Sequence, residues 1–152
     1  MVEIQNILWL TDFSEDSAHA FDYARTIAQL HETKLYLMHV IENPTSLMYG
    51  RVDGDYLAME VNAREKARAW LEAYVAKELT GLPDREILVR EGEILREILD
   101  VEKEKAIGTV VMGTHGRTSL AHLLLGSVTA KVIRSVHCPV YVIRHPERAA
   151  IR

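Results

Sequence analysis

At 152 residues, with 48% hydrophobic and 26% charged residues, the chain has the size and composition of one soluble globular domain with its own core. Its formal net charge of −4 disfavours nucleic acid and acidic lipid as partners, since both call for a basic surface. The single Cys138 excludes an intramolecular disulfide framework and fits a reducing compartment. The opening MVEIQNILWL is too short to span a bilayer and lacks a cationic leader, so a cytoplasmic location with no membrane partner is expected.

In chain order, Ile4 to Leu10 is near-continuously apolar, as a buried parallel strand should be. Ser14 is placed to cap a helix whose first turn holds Glu15 and Asp16, where the helix dipole favours anions, and whose apolar face is Ala20, Phe21, Ala24, Ile27 and Ala28. Lys34 to Ile41 is a second strand, and Glu42 to Asp55, with Pro44, Gly50 and Gly54, reads as a long loop. Leu57 to Leu79 gives a long helix with Leu57, Val61, Ala67, Trp70, Leu71, Tyr74 and Val75 inward, stopped by Gly81, Leu82 and Pro83. Glu86 to Arg90 is a third strand, Glu93 to Lys105 a third helix, and Thr109 to Met112 a fourth strand ending at Gly113. Val128 to Val136 makes a helix through Val128, Val132, Ile133 and Val136, and Pro139 to Arg144 is the last strand. No repeat or linker interrupts this order, so residues 1–152 read as one α/β domain: a parallel sheet with helices on both faces and right-handed crossovers. Ligands of such sheets sit beyond the carboxyl ends of the strands, where the winding reverses.

The chemistry concentrates after the fourth strand, in Gly113-Thr114-His115-Gly116-Arg117 followed by Gly126-Ser127, a G-x2-G-x9-G-S spacing. Glycines admit a close backbone approach, the N–H groups at a helix start at Ser127 make a phosphate cradle, and Arg117 adds a cationic fork matched to phosphate oxygens. The first strand ends in Thr11-Asp12-Phe13-Ser14, and a sheet reversing between the first and fourth strands sets Asp12 beside Gly113. A carboxylate only accepts hydrogen bonds, so Asp12 suits ribose hydroxyls or a base amino group; it also suits a plain turn before a capped helix. His115 reads equally well as a phosphate contact and as a solvated loop residue.

The pieces ILWLTDFSEDS, LMHVIE, VREGE and VVMGTHGRTSLAHLLLGSVTAKVIRSVHCPVYVIR together resemble the universal stress protein family, in its ATP-binding branch, from Ile4 to Arg144 apart from the 42–55 loop. The resemblance implies a five-stranded doubly wound parallel sheet in the order 3-2-1-4-5, a homodimer and bound ATP, with Mg²⁺ carried by the phosphates. It implies that Thr11 and Asp12 lie along the adenosine and that the Val40 backbone meets the adenine edge. Met112, Gly113 and Gly116 then line ribose and phosphates, and Gly126, Ser127 and Val128 close over the phosphates. Two positions depart from the family pattern, Thr11 and Ile94, each where relatives often carry proline. The first departure loosens its turn; for the second no ligand consequence is expected.

Other chemistries find less footing. The seven histidines show no HExxH spacing and the lone cysteine offers no thiolate cluster, so no metal site belonging to the protein itself is expected. Cys138 reads as a small buried apolar side chain. No GxSxG or GxxxxGK[ST] pattern occurs, and no catalytic residue is assigned. The expected function is a nucleotide-dependent regulatory or stress-response module, with slow ATP phosphohydrolysis or phosphotransfer at the same site as the alternative. Pro139 cannot donate to a ladder, which makes the last strand an edge through which two copies would pair.

Overall fold

Strands β1 (Ile7–Leu10), β2 (Leu35–Glu42), β3 (Arg85–Gly92), β4 (Thr109–Gly113) and β5 (Val140–Ile143) alternate with helices α1 (Glu15–Leu30), α2 (Gly54–Glu78), α3 (Ile94–Glu104) and α4 (Ser127–Ser135) in a computed structural model. It describes residues 3–42, 54–78, 84–116 and 125–146. The strands form one parallel five-stranded sheet in the order β3-β2-β1-β4-β5, with Trp9 opposite Leu37 on one side and Val111 on the other. The winding reverses between β1 and β4, the place where a parallel sheet opens a crevice beyond its strand ends.

The period of two divides the central strand between two cores. Ile7 and Trp9 face one way and pack with Phe21, Ala24 and Ala28 of α1 and Leu71 and Val75 of α2. Leu8 and Leu10 face the other way and pack with Ile98 and Val101 of α3 and Val132 of α4. Trp9 is fully enclosed by Phe21, edge-on at 4.8 Å, and Tyr74, stacked at 5.6 Å, while its indole N–H donates to Ser17 O at 2.9 Å. Burying an aromatic of this size contributes about 1.5–3 kcal/mol, provided its polar atom is satisfied, as this one is.

Several boundaries differ from the expectation. β1 begins at Ile7 because Ile4 packs on the core without entering the ladder. β3 is longer than expected and runs to Gly92, and β5 starts one residue after Pro139, which lacks an N–H but accepts from Val110 N at 2.9 Å. The third and fourth helices run Ile94–Glu104 and Ser127–Ser135. α2 starts at Gly54, inside the expected loop. Trp70 and Ile133, both expected inward, are 62% and 43% exposed. At 100° per residue each falls at or beyond the margin of its helix's buried stripe, which Ala67, Leu71 and Val75 define on α2 and Val132 on α4. The side chains of Leu57 and Val61, the stop at Gly81 to Pro83 and residues 43–53 of the expected loop lie outside what is described.

The amino-terminal end of the sheet is closed by charge. Lys34 and Lys105 both reach Glu86, at 3.0 and 2.8 Å, across the ring of buried Tyr36. The bond from Lys105, then that from Lys34, hold the Glu86 carboxyl below the usual carboxylate range. Nearby, the buried Glu102 of α3 accepts the backbone N–H of His137 (2.6 Å) and of Cys138 (3.0 Å), tying α3 to the α4–β5 turn. Cys138 itself is half-buried, more open than its sequence reading suggested. No described helix is long and apolar enough to cross a membrane.

Candidate functional site

Between Leu10 and α1 the chain has four residues in which to reverse direction, and Thr11 organises them. Its N–H donates to Met38 O at 3.0 Å, its hydroxyl accepts from Phe13 N at 2.9 Å, and the same oxygen lies 2.9 Å from Ser17 Oγ. The buried hydroxyl thus ties the turn where proline would have restricted it, so the expected loosening is offset by three bonds. Phe13 sits in the left-handed region at φ 64, a conformation costing of order 1 kcal/mol or more for a bulky residue. Its ring rests on His39 at 4.5 Å, and His39 Nδ1 donates to Thr11 O at 2.8 Å. Asp12 Oδ1 accepts from Ser14 N at 3.0 Å, and Ser14 caps α1 by accepting from Ser17 N at 3.3 Å.

The glycines after β4 are required by the protein's own close packing. A Cβ on Gly113 would lie 2.8 Å from the Asp16 carbonyl carbon, so α1 passes directly over that position. A Cβ on Gly116 would lie 2.5 Å from Asp12 Oδ2. Asp16 thus rests against Gly113 and Asp12 against Gly116, and Asp12 and Gly113 line the same cleft. Gly126 has φ −67 and faces Thr114 O at 3.2 Å from a built Cβ, so neither a left-handed backbone nor a ligand explains it by itself. Its N–H donates to Thr114 O at 2.8 Å, and Thr129 Oγ1 donates to Gly113 O at 3.1 Å, which locks the start of α4 onto the end of β4. Gly126, at the N-cap, has no side chain to cap α4, so among the described residues the positive end of its dipole faces the space before it.

That space is a cleft of ≈ 560 Å³ at the carboxyl ends of the strands. Thr11, Asp12, Val40, Met112, Gly113, Gly116, Gly126, Ser127 and Val128 all line it. Arg117 lies outside the described residues. His115 also lines the cleft, bonded through Nδ1 to Thr114 Oγ1 at 2.9 Å. The sequence reading missed the opposite wall: His39, Ile41 and Glu42 at the end of β2, and Glu93, Ile94 and Leu95 at the start of α3. Ile94, for which no ligand consequence was expected, is part of that wall. Its position directly after a parallel strand was the available signal, since every strand-to-helix connection in this topology opens at the same end. Lys131, one turn into α4, adds a cation that the glycine motif did not announce. Asp16 was also missed, having been read only as a first-turn anion.

The profile described as the Universal stress protein family matches residues 3–144. The chain belongs to the universal stress protein family. Two members from Methanocaldococcus jannaschii are each 30% identical to it: Universal stress protein MJ0531 over 91% of this chain and 81% of that protein, and Universal stress protein MJ0577 over 94% and 96%. The solved structure of MJ0577 superposes with a TM-score of 0.82 at 28% identity, covering 95% of this chain and 98% of that one. A universal stress protein solved in complex with cAMP shares the fold, with a TM-score of 0.61 at 24% identity over 94% and 98% of the two chains. The five-stranded order 3-2-1-4-5 is the family's sheet.

Proposed function

We propose that this universal stress protein binds an adenine nucleotide, ATP above all, in the cleft between β1 and β4, and acts as a nucleotide-dependent regulatory module. The observation that carries the reading is the meeting, in one cleft of ≈ 560 Å³, of the amino terminus of α4, begun by a glycine N-cap, with a carboxylate, Asp12, at the point where the winding reverses. The volume falls in the range of small-molecule sites, and the two groups suit opposite ends of a nucleotide. Ser127 and Val128 meet phosphate at the helix start, Gly116 and Gly126 let the backbone approach it, and Arg117 and Lys131 compensate its charge. Asp12 and Thr11 face the ribose, Val40 the adenine edge, and Met112 and Gly113 the floor between them. Mg²⁺ arrives on the phosphates. The family member solved with cAMP supports an adenine nucleotide as the ligand class.

Calorimetric titration with ATP, ADP and adenosine tests this. Asp12→Ala loses a charge-assisted hydrogen bond of about 1.5–3 kcal/mol to all three ligands alike. Arg117→Ala weakens ATP most and adenosine hardly at all. Tighter ATP binding by Asp12→Ala would reverse the orientation, and no binding by the parent protein would end the reading. The same reading makes 1–152 one cytoplasmic domain that pairs through β5. Among the described residues this strand is hydrogen-bonded within the chain on one side only, and it exposes Tyr141. Light scattering at micromolar concentration is expected to give twice the chain mass; a monomer mass refutes the pairing.

A further inference from the structure

Residues from opposite ends of the chain meet beside the edge strand. α1 packs against β5, and His145 follows the end of β5. Its ring meets that of His19, in the second turn of α1, with centres 5.4 Å apart and planes crossed at 64°. Tyr23, one turn further along α1, stands edge-on to His19 at 5.6 Å. Both imidazoles are half-buried, and among the described residues neither is engaged in a hydrogen bond or an ion pair. Glu15 and Asp22 lie one turn from His19 on the exposed surface of α1 and add negative charge beside it. Asp22 is shared with Arg25 at 3.5 Å, and Arg144 next to His145 opposes a cation. A zinc–imidazole bond is about 2.0–2.1 Å, and with each ring centre about 1.1 Å behind its nitrogen, two rings on one tetrahedral ion stand about 5.2 Å apart. The observed separation fits that value, and histidine χ2 is soft enough to turn a nitrogen of each ring toward a common point.

We propose that His19 and His145 form a chelating pair for a divalent transition ion of the zinc class, with water completing the coordination. Among the described residues no group of three or more His, Cys, Asp or Glu side chains gathers to hold a metal, so the protein supplies two ligands and the ion is exchangeable. Two imidazole nitrogens suit borderline ions such as Zn²⁺; Mg²⁺ and Ca²⁺ call for oxygen. The bound ion pins the segment after β5 to α1. Its ligands are 126 positions apart, 145 less 19, which is why a search for ligand spacing along the chain passes over them. Neither histidine lines the cleft, so the inference stands apart from the nucleotide reading.

The test is calorimetric titration of the nucleotide-free protein, first stripped with a chelator, with zinc chloride and with magnesium chloride at neutral pH. The expected result is one Zn²⁺ bound per chain and no heat of binding from Mg²⁺. His19→Gln and His145→Gln should each weaken Zn²⁺ at least roughly tenfold, and the double variant should lose little beyond either single one, because a chelate fails when either arm is removed. His31→Gln, at the other end of α1, should stay within about twofold of the parent. Saturating Zn²⁺ should also raise the thermal midpoint of the parent, reversibly with chelator, and leave both single variants where they were. A parent protein that treats Zn²⁺ no differently from Mg²⁺ overturns the proposal. So does a single variant that keeps the parent's affinity and thermal shift, or a double variant that still binds one Zn²⁺ with the parent's affinity.

Discussion

Among the described residues two acidic side chains are buried, at opposite ends of the sheet, and they serve different ends. Glu102, on α3, accepts two backbone N–H groups from the α4–β5 turn and the ring of His137 at 3.3 Å. Asp16, on α1, accepts from a side chain, the hydroxyl of Thr114, with the His115 ring at 3.6 Å. Backbone donors cannot rotate away, so Glu102 makes a fixed joint. A hydroxyl donor can rotate, so the bond from Thr114 makes Asp16 an adjustable joint. The fixed joint and the adjustable one thereby lie at opposite ends of the five-stranded sheet.

The largest effect expected from testing that contrast is on stability. Glu102→Ala strands two N–H groups and should cost about 2–4 kcal/mol in urea unfolding while changing ATP affinity by less than about twofold. Burial alone would raise the Glu102 pKa; the N–H groups of His137 and Cys138 outweigh it and hold the carboxyl below the usual range. A carboxyl depressed in the folded state stabilises above its unfolded value and loses that contribution as pH falls through the folded one. The stability gap between the parent and Glu102→Gln should therefore close on acidification below about pH 4.3. A comparable loss of ATP affinity in Glu102→Ala would erase the distinction between the two ends.

A middle effect is expected at Gly113, where an added methyl meets the backbone of Asp16 at 2.8 Å. Neither backbone can yield cheaply, so Gly113→Ala should lose about 1–3 kcal/mol of stability. It should weaken ATP as well, because it shifts the residue that supports His115. Thermal unfolding and titration of the one variant report both losses. The smallest effect is expected at Gly116, where the added methyl meets only the end of the Asp12 side chain. Gly116→Ala should unfold within about 0.5 kcal/mol of the parent, since a side chain can swing aside, yet bind adenosine several-fold more weakly. A stability loss as large as that of Gly113→Ala would mean Asp12 is structural before it is functional.

How far these features could be read in advance depends on their range along the chain. The alternation of apolar runs with helical periods was enough for a parallel sheet covered on both faces with right-handed crossovers, while the strand order came with the resemblance to the family. The cap at Ser14 and the glycine motif were visible because their partners lie within a few residues of one another. What the glycines pack against was not visible. Gly113 meets Asp16 across 97 positions, 113 less 16, and no local pattern encodes such a contact. The same holds for Glu102 and His137, 35 residues apart. Trp70 was misplaced for a different reason: an indole at the margin of an amphipathic stripe satisfies the period whether or not it is covered.

That marginal indole has an optical consequence. The chain has two tryptophans: Trp9 is sealed between Phe21 and Tyr74, whereas Trp70 stands in solvent with Phe13 at its edge, 5.2 Å away. Phe13 follows Asp12 directly and holds the left-handed turn. The red-shifted part of the intrinsic emission thus comes from a ring leaning on the residue next to the cleft carboxylate, and the blue part from a ring that changes only on unfolding. One unlabelled sample carries both a gauge of the turn and an internal reference.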